Sequence, residues 1–281
     1  MSPAAPVEVV DAALAAIAAH ERPDLEARLR QARDRVLDGS VRVLVVGEFK
    51  QGKSMLVNGL IGAAVCPTFD DIATAVPTLV KHSPEVAVTL VRTRITADGD
   101  RSDERIDAPV AELAEHVCEQ GNPDNRKGWS RVEVGVPRPV LEGGLQLMDT
   151  PGVGGLRSVH GAATAAALPS ADAVLLVSDA AQEYTAPELE FLAHAASVCP
   201  TVACVLTKTD LYPQWRRIAE LDRGHLAKAG IDAELLPVSA NLRWHAVRTG
   251  DAEINVESGF PELIKYLRRR VLGRADLVVR R

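Results

Sequence analysis

Residues 47–54 read Gly-Glu-Phe-Lys-Gln-Gly-Lys-Ser, and no other stretch constrains the chain as much. The pattern is G-x-x-x-x-G-K-[ST]. It follows the β-branched run 41–46 and opens an apolar segment of helical character over 53–62. A strand, a glycine turn and a helix start in that order form a phosphate cradle. Glycines let the backbone wrap an anion with its N–H groups inward, and the helix N-terminus adds partial positive charge. In such a loop Lys53 reaches the β- and γ-phosphates and the Ser54 hydroxyl binds Mg²⁺, while Gly47, Glu48, Phe49, Lys50, Gln51 and Gly52 supply the backbone. The loop alone leaves kinase, ATPase and GTPase open.

The rest of the chain narrows the choice. Asp149-Thr-Pro-Gly152 directly follows the apolar run 145–148. An Asp at a strand end can hold Mg²⁺ through water, and the Gly152 N–H can sense a γ-phosphate. A capped Pro-Gly turn would explain the same four residues. Thr207-Lys208-Thr209-Asp210 follows another strand candidate, 202–206. A carboxylate at Asp210 accepts from N1–H and N2–H of guanine and is repelled by the N1 acceptor of adenine. Lys208 would lay its stem along the base. Ser239-Ala240 ends the next strand candidate and offers a backbone N–H to guanine O6. Between the phosphate loop and Asp149, the segment 69–78 must supply a mobile Thr for Mg²⁺. Thr74 and Thr78 are the candidates, Thr68 a more distant one, and the motif order favours Thr74. Together the elements read as a guanine-nucleotide domain with Ser54, Thr74 and Asp149 around Mg²⁺ and GTP or GDP as substrate or product.

Composition agrees with a folded protein whose chemistry is not nucleic-acid binding. The chain has 281 residues, 47% hydrophobic and 25% charged, and a net charge of −6. Phosphate-backbone partners call for a basic excess. No uninterrupted apolar stretch of about 18 residues occurs, as a membrane-spanning helix would need. Residues 1–20 carry Glu8 and Asp11 without a basic start, unlike a secretory signal. The cysteines Cys66, Cys118, Cys199 and Cys204 form no C-x-x-C pair and read as core thiols in a reducing compartment.

Helices are expected over 7–20, 23–37, 109–119, 186–196, 214–228 and 261–281. Strands are expected over 41–46, 86–91, 132–136, 145–148, 173–177, 202–206 and 235–238, with an acidic-basic turn at 98–105. Alternation of the two argues an α/β fold, a mainly parallel sheet with helices on both faces. The division expected is N-terminal helices over 1–39, a nucleotide domain over 40–258 and a C-terminal helix over 259–281.

Lys53 and Asp149 lie 96 residues apart, roughly twice the interval of a Ras-like domain. GEFKQGKS, PTFDDIATAVPT, DTPG and TKTD together resemble the dynamin superfamily, in particular bacterial dynamin-like proteins, over residues 22–272. That resemblance implies a GTPase that remodels membranes, dimerises through its GTPase faces and hydrolyses GTP faster when paired. It implies catalytic roles for Lys50, Lys53 and Thr74, and a cytoplasmic protein or one held peripherally at the inner face of the plasma membrane. A stalk and lipid-binding segment would follow the nucleotide domain, and the flanking helices would either form a neck bundle or cover the sheet edge. Val153 stands where Ras-like enzymes carry a Gln, in agreement with dynamins. Lys50 departs from the Ser of many dynamins, which use a monovalent cation there. The sequence Ser239-Ala240-Asn241 lacks a following Lys. A monomeric regulatory GTPase and a weakly hydrolysing GTP-gated scaffold are the alternatives.

Overall fold

The computed structural model describes residues 6–17, 39–68, 74–95, 101–152 and 167–273, with 22, 25, 26, 29, 30, 33, 37, 164 and 165. Much of the second N-terminal helix, residues 69–73, Val153 and residues 274–281 lie outside them.

Helix α1 spans Pro6–Ile17, and Arg33 reaches back to its Asp11 at 2.6 Å. Strand β1 (Val41–Val46) runs into the phosphate loop, and α2 (Lys53–Ile61) leaves it. The chain then forms β2 (Thr78–His82), β3 (Ala87–Ile95), β4 (Arg101–Ala108), the short helix α3 (Leu113–Val117), β5 (Arg131–Val136) and β6 (Leu145–Asp149). Then come β7 (Ala173–Asp179), α4 (Ala186–Val198), β8 (Val202–Thr207), α5 (Trp215–Lys228) and β9 (Glu234–Pro237). Helices α6 (Ala240–Thr249), α7 (Ala252–Glu257) and α8 (Phe260–Tyr266) follow, and α8 continues as a π-helical turn over Leu267–Leu272.

All nine strands join one sheet, in the order β4-β3-β5-β2-β6-β1-β7-β8-β9. The run β6-β1-β7-β8-β9 is parallel, and β2 pairs with β5 in the same sense. Antiparallel pairs join β2 to β6 and build β4-β3-β5. The fold is therefore α/β and mostly parallel, as expected.

Strand periodicity sets the two cores. Side chains alternate faces along a strand. On β1, Val43 and Val45 enter one buried cluster with Leu56, Val57 and Leu60 of α2, while Leu44 and Val46 enter the other with Phe191 and Leu192 of α4. Burial on both faces explains why β1, β7 and β8 read as continuous apolar runs. Helix α2 packs closely because of Gly59, where a Cβ would lie 2.5 Å from the Phe260 ring. All four cysteines are buried and free.

Several expectations are corrected. Residues 101–105 belong to β4 rather than a turn: Arg and Asp alternate there because the strand is an edge, where charges are tolerated and one face is wet. Residues 109–119 contain a 3₁₀ turn (Val110–Glu112) that continues into α3, which ends at Val117 where Cys118 turns extended. Strand β2, short and directly behind Pro77, is an addition to the expected strands.

Candidate functional site

The sequence motifs meet at the C-terminal ends of β1, β6, β8 and β9, where open α/β sheets bind ligands. They surround a cavity of about 330 Å³ lined by Phe49, Lys50, Gly52, Lys53, Ser54, Thr68, Thr74, Gly152, Thr207, Lys208, Asp210, Ala240 and Asn241, among others.

The loop's shape depends on its glycines. Gly47 has φ 154°, and a Cβ there would sit 2.2 Å from the Val177 carbonyl oxygen. Gly152 packs so that a Cβ would come within 2.9 Å of Phe49 Cα. Gly52, at φ 89°, precedes α2, and the Leu56 N–H closes the first turn onto its carbonyl at 2.8 Å. Lys53 donates to the carbonyls of Gly47 (2.9 Å) and Glu48 (2.7 Å). Burial lowers the pKa of its ammonium, against the opposing pull of Asp149 and Glu48. The Gln51 carbonyl accepts from Thr207 Oγ1 at 2.7 Å, which ties the phosphate loop to the end of β8.

Asp149 lies beneath the cavity, fully buried. Ser54 Oγ donates to its Oδ2 at 2.6 Å, and its Oδ1 has no hydrogen-bond partner among the described residues. Burial pushes its carboxyl up to about 6, against the Ser54 hydrogen bond, the Lys53 charge and the Cys66 thiol. A hydroxyl, a carboxylate with a spare buried oxygen and a nearby threonine form a hard-oxygen set that suits Mg²⁺.

The three threonine candidates separate in space. Thr74 lines the cavity and bridges Cys118 through its backbone, and the next two N–H groups, of Ala75 and Val76, bond the Val117 carbonyl at 2.7 and 3.3 Å. Thr68 also lines the cavity. Thr78 is buried at the start of β2, opposite Asp149.

At the far end, Lys208 adopts a left-handed φ of 58° and pairs with Asp179 at 2.7 Å. Asp210 accepts from Ser239 Oγ at 2.6 Å and Asn241 Nδ2 at 2.9 Å. Gly47, Glu48, Gln51, Asp149 and Ser239 do not line the cavity. Asp179 and Asn241 were missed as site residues, although an acid at the end of a strand neighbouring β8 was a usable signal.

A glycine loop between β1 and α2, an acid behind the Ser54 hydroxyl and Asp210 beyond the end of β8 lie together at one edge of the parallel sheet, the arrangement of a GTPase-type domain. Residues 43–209 match the dynamin family, and the chain belongs to that family. The isoniazid-induced protein IniA of Mycobacterium tuberculosis is 44% identical over 98% of this chain, which spans 42% of that relative. A bacterial dynamin-like protein of Nostoc punctiforme is 28% identical over 55% of the chain and 22% of its own length. An oligomerised bacterial dynamin pair shares the fold, with a TM-score of 0.68 at 16% identity over 98% of this chain and 44% of that one. The chain thus spans less than half the length of these relatives. No helix among the described residues is long and apolar enough to cross a membrane.

Proposed function

We propose that the chain is a Mg²⁺-dependent GTP-hydrolysing domain of a membrane-remodelling dynamin-like protein, activated when two copies pair through their nucleotide faces. One observation carries the reading. A single cavity has Lys53 and Ser54, backed by Asp149, at one end and Lys208 and Asp210 at the other. Ser54, Thr74 and Asp149 would hold Mg²⁺, which would neutralise charge on the phosphates. Lys53 binds the β- and γ-phosphates, Gly152 faces the γ-phosphate, and Thr207 braces the loop. Lys50 lines the cavity, and its ammonium supplies charge where the β–γ bond breaks. Membrane action is supported by the family and by the relatives, not by any segment described in this chain. The flanking helices over 1–39 and 259–281 would form a neck. Homodimerisation, lipid contact and a peripheral place at the inner face of the plasma membrane belong to the same proposal, which includes no nucleic-acid partner.

GTP turnover against protein concentration, with and without liposomes, tests the reading. Specific activity should rise with concentration. A flat, very slow rate with intact GTP binding would make the chain a GTP-gated scaffold, and a flat, brisk rate a monomeric GTPase.

A further inference from the structure

The Asp210 carboxylate is gripped from two sides before any base arrives. Ser239 donates to Oδ1 and Asn241 to Oδ2. Ser239 is fully buried and also caps α6, accepting from the Leu242 N–H at 3.1 Å. Asn241 is the second residue of that helix, is exposed and lines the cavity. Both donors therefore spring from one capped helix start, so the fold itself sets the plane of the carboxylate.

Acceptor counting gives the consequence. Each carboxylate oxygen can accept a second hydrogen bond. The two remaining directions on Asp210 match guanine N1–H and one proton of the N2 amine. That amine has a second proton, which is costly to leave unpaired inside a protein cavity. The Asn241 amide carries its own acceptor, Oδ1, whose hands are free while Nδ2 is engaged: no hydrogen bond to Oδ1 occurs among the described residues. Hypoxanthine lacks only the amine, and adenine presents the opposite edge.

We propose that Asn241 is a second base-selecting residue, whose Nδ2 fixes Asp210 and whose Oδ1 accepts the outer proton of the guanine N2 amine. The inference rests on the guanine-nucleotide reading above. It gives Asn241 a share in telling guanine from hypoxanthine, added to the single amine contact of Asp210, which alone makes the choice between guanine and adenine.

Calorimetric binding of GDP, IDP and ADP to the full 281-residue chain tests it. Wild type should prefer GDP over IDP. Asn241→Ala should weaken GDP about three- to tenfold and IDP less, so that the GDP:IDP ratio falls at least about threefold. Asn241→Gln, which keeps a donor and an acceptor, should retain more of the ratio than Asn241→Ala. Asn241→Asp keeps an acceptor but loses the grip on Asp210, and should weaken GDP and IDP together. A ratio unchanged in Asn241→Ala, or equal in the Ala and Gln variants, overturns the assignment while leaving the guanine reading intact. If wild type binds ADP as tightly as GDP, the guanine reading itself fails.

Discussion

Lys50 sits in the left-handed region at φ 64°, with its ammonium 5.4 Å from the Phe49 ring centroid at the cavity mouth. An L-residue pays about 1 kcal/mol for that backbone, and Lys50 lines the cavity together with Lys53. If Lys50 replaces a monovalent cation, hydrolysis should not depend on Na⁺ or K⁺. Lys50→Ala should lower kcat about tenfold or more with little change in GDP affinity. A potassium-dependent wild type would return Lys50 to the surface. Asp210→Asn should move preference from guanine to xanthine nucleotides, because the amide donates where xanthine has an acceptor. Competition binding would show the change. Asp222 of α5 is a different case: fully buried, it accepts from the Tyr184 N–H at 2.8 Å while its Oδ2 has no partner among the described residues. Burial pushes its carboxyl up to about 6, with the Tyr184 hydrogen bond and His225 opposing and Glu188 and Glu183 reinforcing. The native state therefore holds a proton that the unfolded chain releases near pH 4. Stability falls as pH rises from about 4 to 6, and stays lower above that. Asp222→Asn, which keeps the acceptor, should raise Tm at pH 8 and change it little at pH 4. Melting curves at the two pH values decide it. The loop residues of the site were legible because they are contiguous. Asp179, Asn241 and Asp222 were not, because each gains its meaning from a partner 29 to 38 residues away on a neighbouring element.

At the scale of elements, the parallel half of the sheet was readable because burial on both faces leaves unbroken apolar runs. In the β2–β5 extension, β3 and β5 also read as apolar runs, whereas β2 is short and β4 is masked by its charges. Glu133 of β5 is buried yet bonded by Arg105 of β4 (2.6 Å), Lys81 of β2 (2.7 Å) and Arg131 (2.9 Å). Arg131 also reaches Asp103 at 2.8 Å. Three strands thus share one ionic knot, and β4 carries charged residues where a pattern of apolar alternation would be sought. Burial alone would raise the Glu133 carboxyl, but the hydrogen bonds from Arg105 and Lys81, with the charges of Lys81 and Arg131, hold it at about 2. In the unfolded chain it titrates near 4.3. Between those values the unfolded state binds more protons, so the knot's contribution is complete above about pH 5 and is lost as pH falls towards 2. Glu133→Gln should cost about 1–3 kcal/mol at pH 7, by leaving three cations with a neutral partner. The loss relative to wild type should shrink on acidification. Urea denaturation at pH 7 and pH 3 measures both.

At the scale of the molecule, strand order turns separate motifs into one site. The glycine loop ends β1, which lies between β6 and β7, and the segments carrying Asp210 and Asn241 follow β8 and β9 on one flank. The 95 residues between Lys53 and Asp149 do not dilute this. Most of them add β2, β3, β4 and β5 to the opposite flank, and α3 of that insert receives the backbone around Thr74. The cavity mouth also exposes Phe49 and Leu211, at 46% and 58%, close to charged Lys50 and Asp210. Large apolar side chains open to solvent beside a ligand site are what a paired surface would cover. Pairing across the nucleotides should therefore need a γ-phosphate mimic. GDP with aluminium fluoride should double the mass seen by light scattering, whereas GDP alone should leave a monomer. Leu211→Asp, which adds charge at the rim without touching the phosphate loop, should abolish the doubling and the concentration dependence of turnover. Its GDP affinity should stay within about threefold of wild type. A monomer with the mimic in wild type, or an undiminished dimer in Leu211→Asp, would exclude this face as the contact.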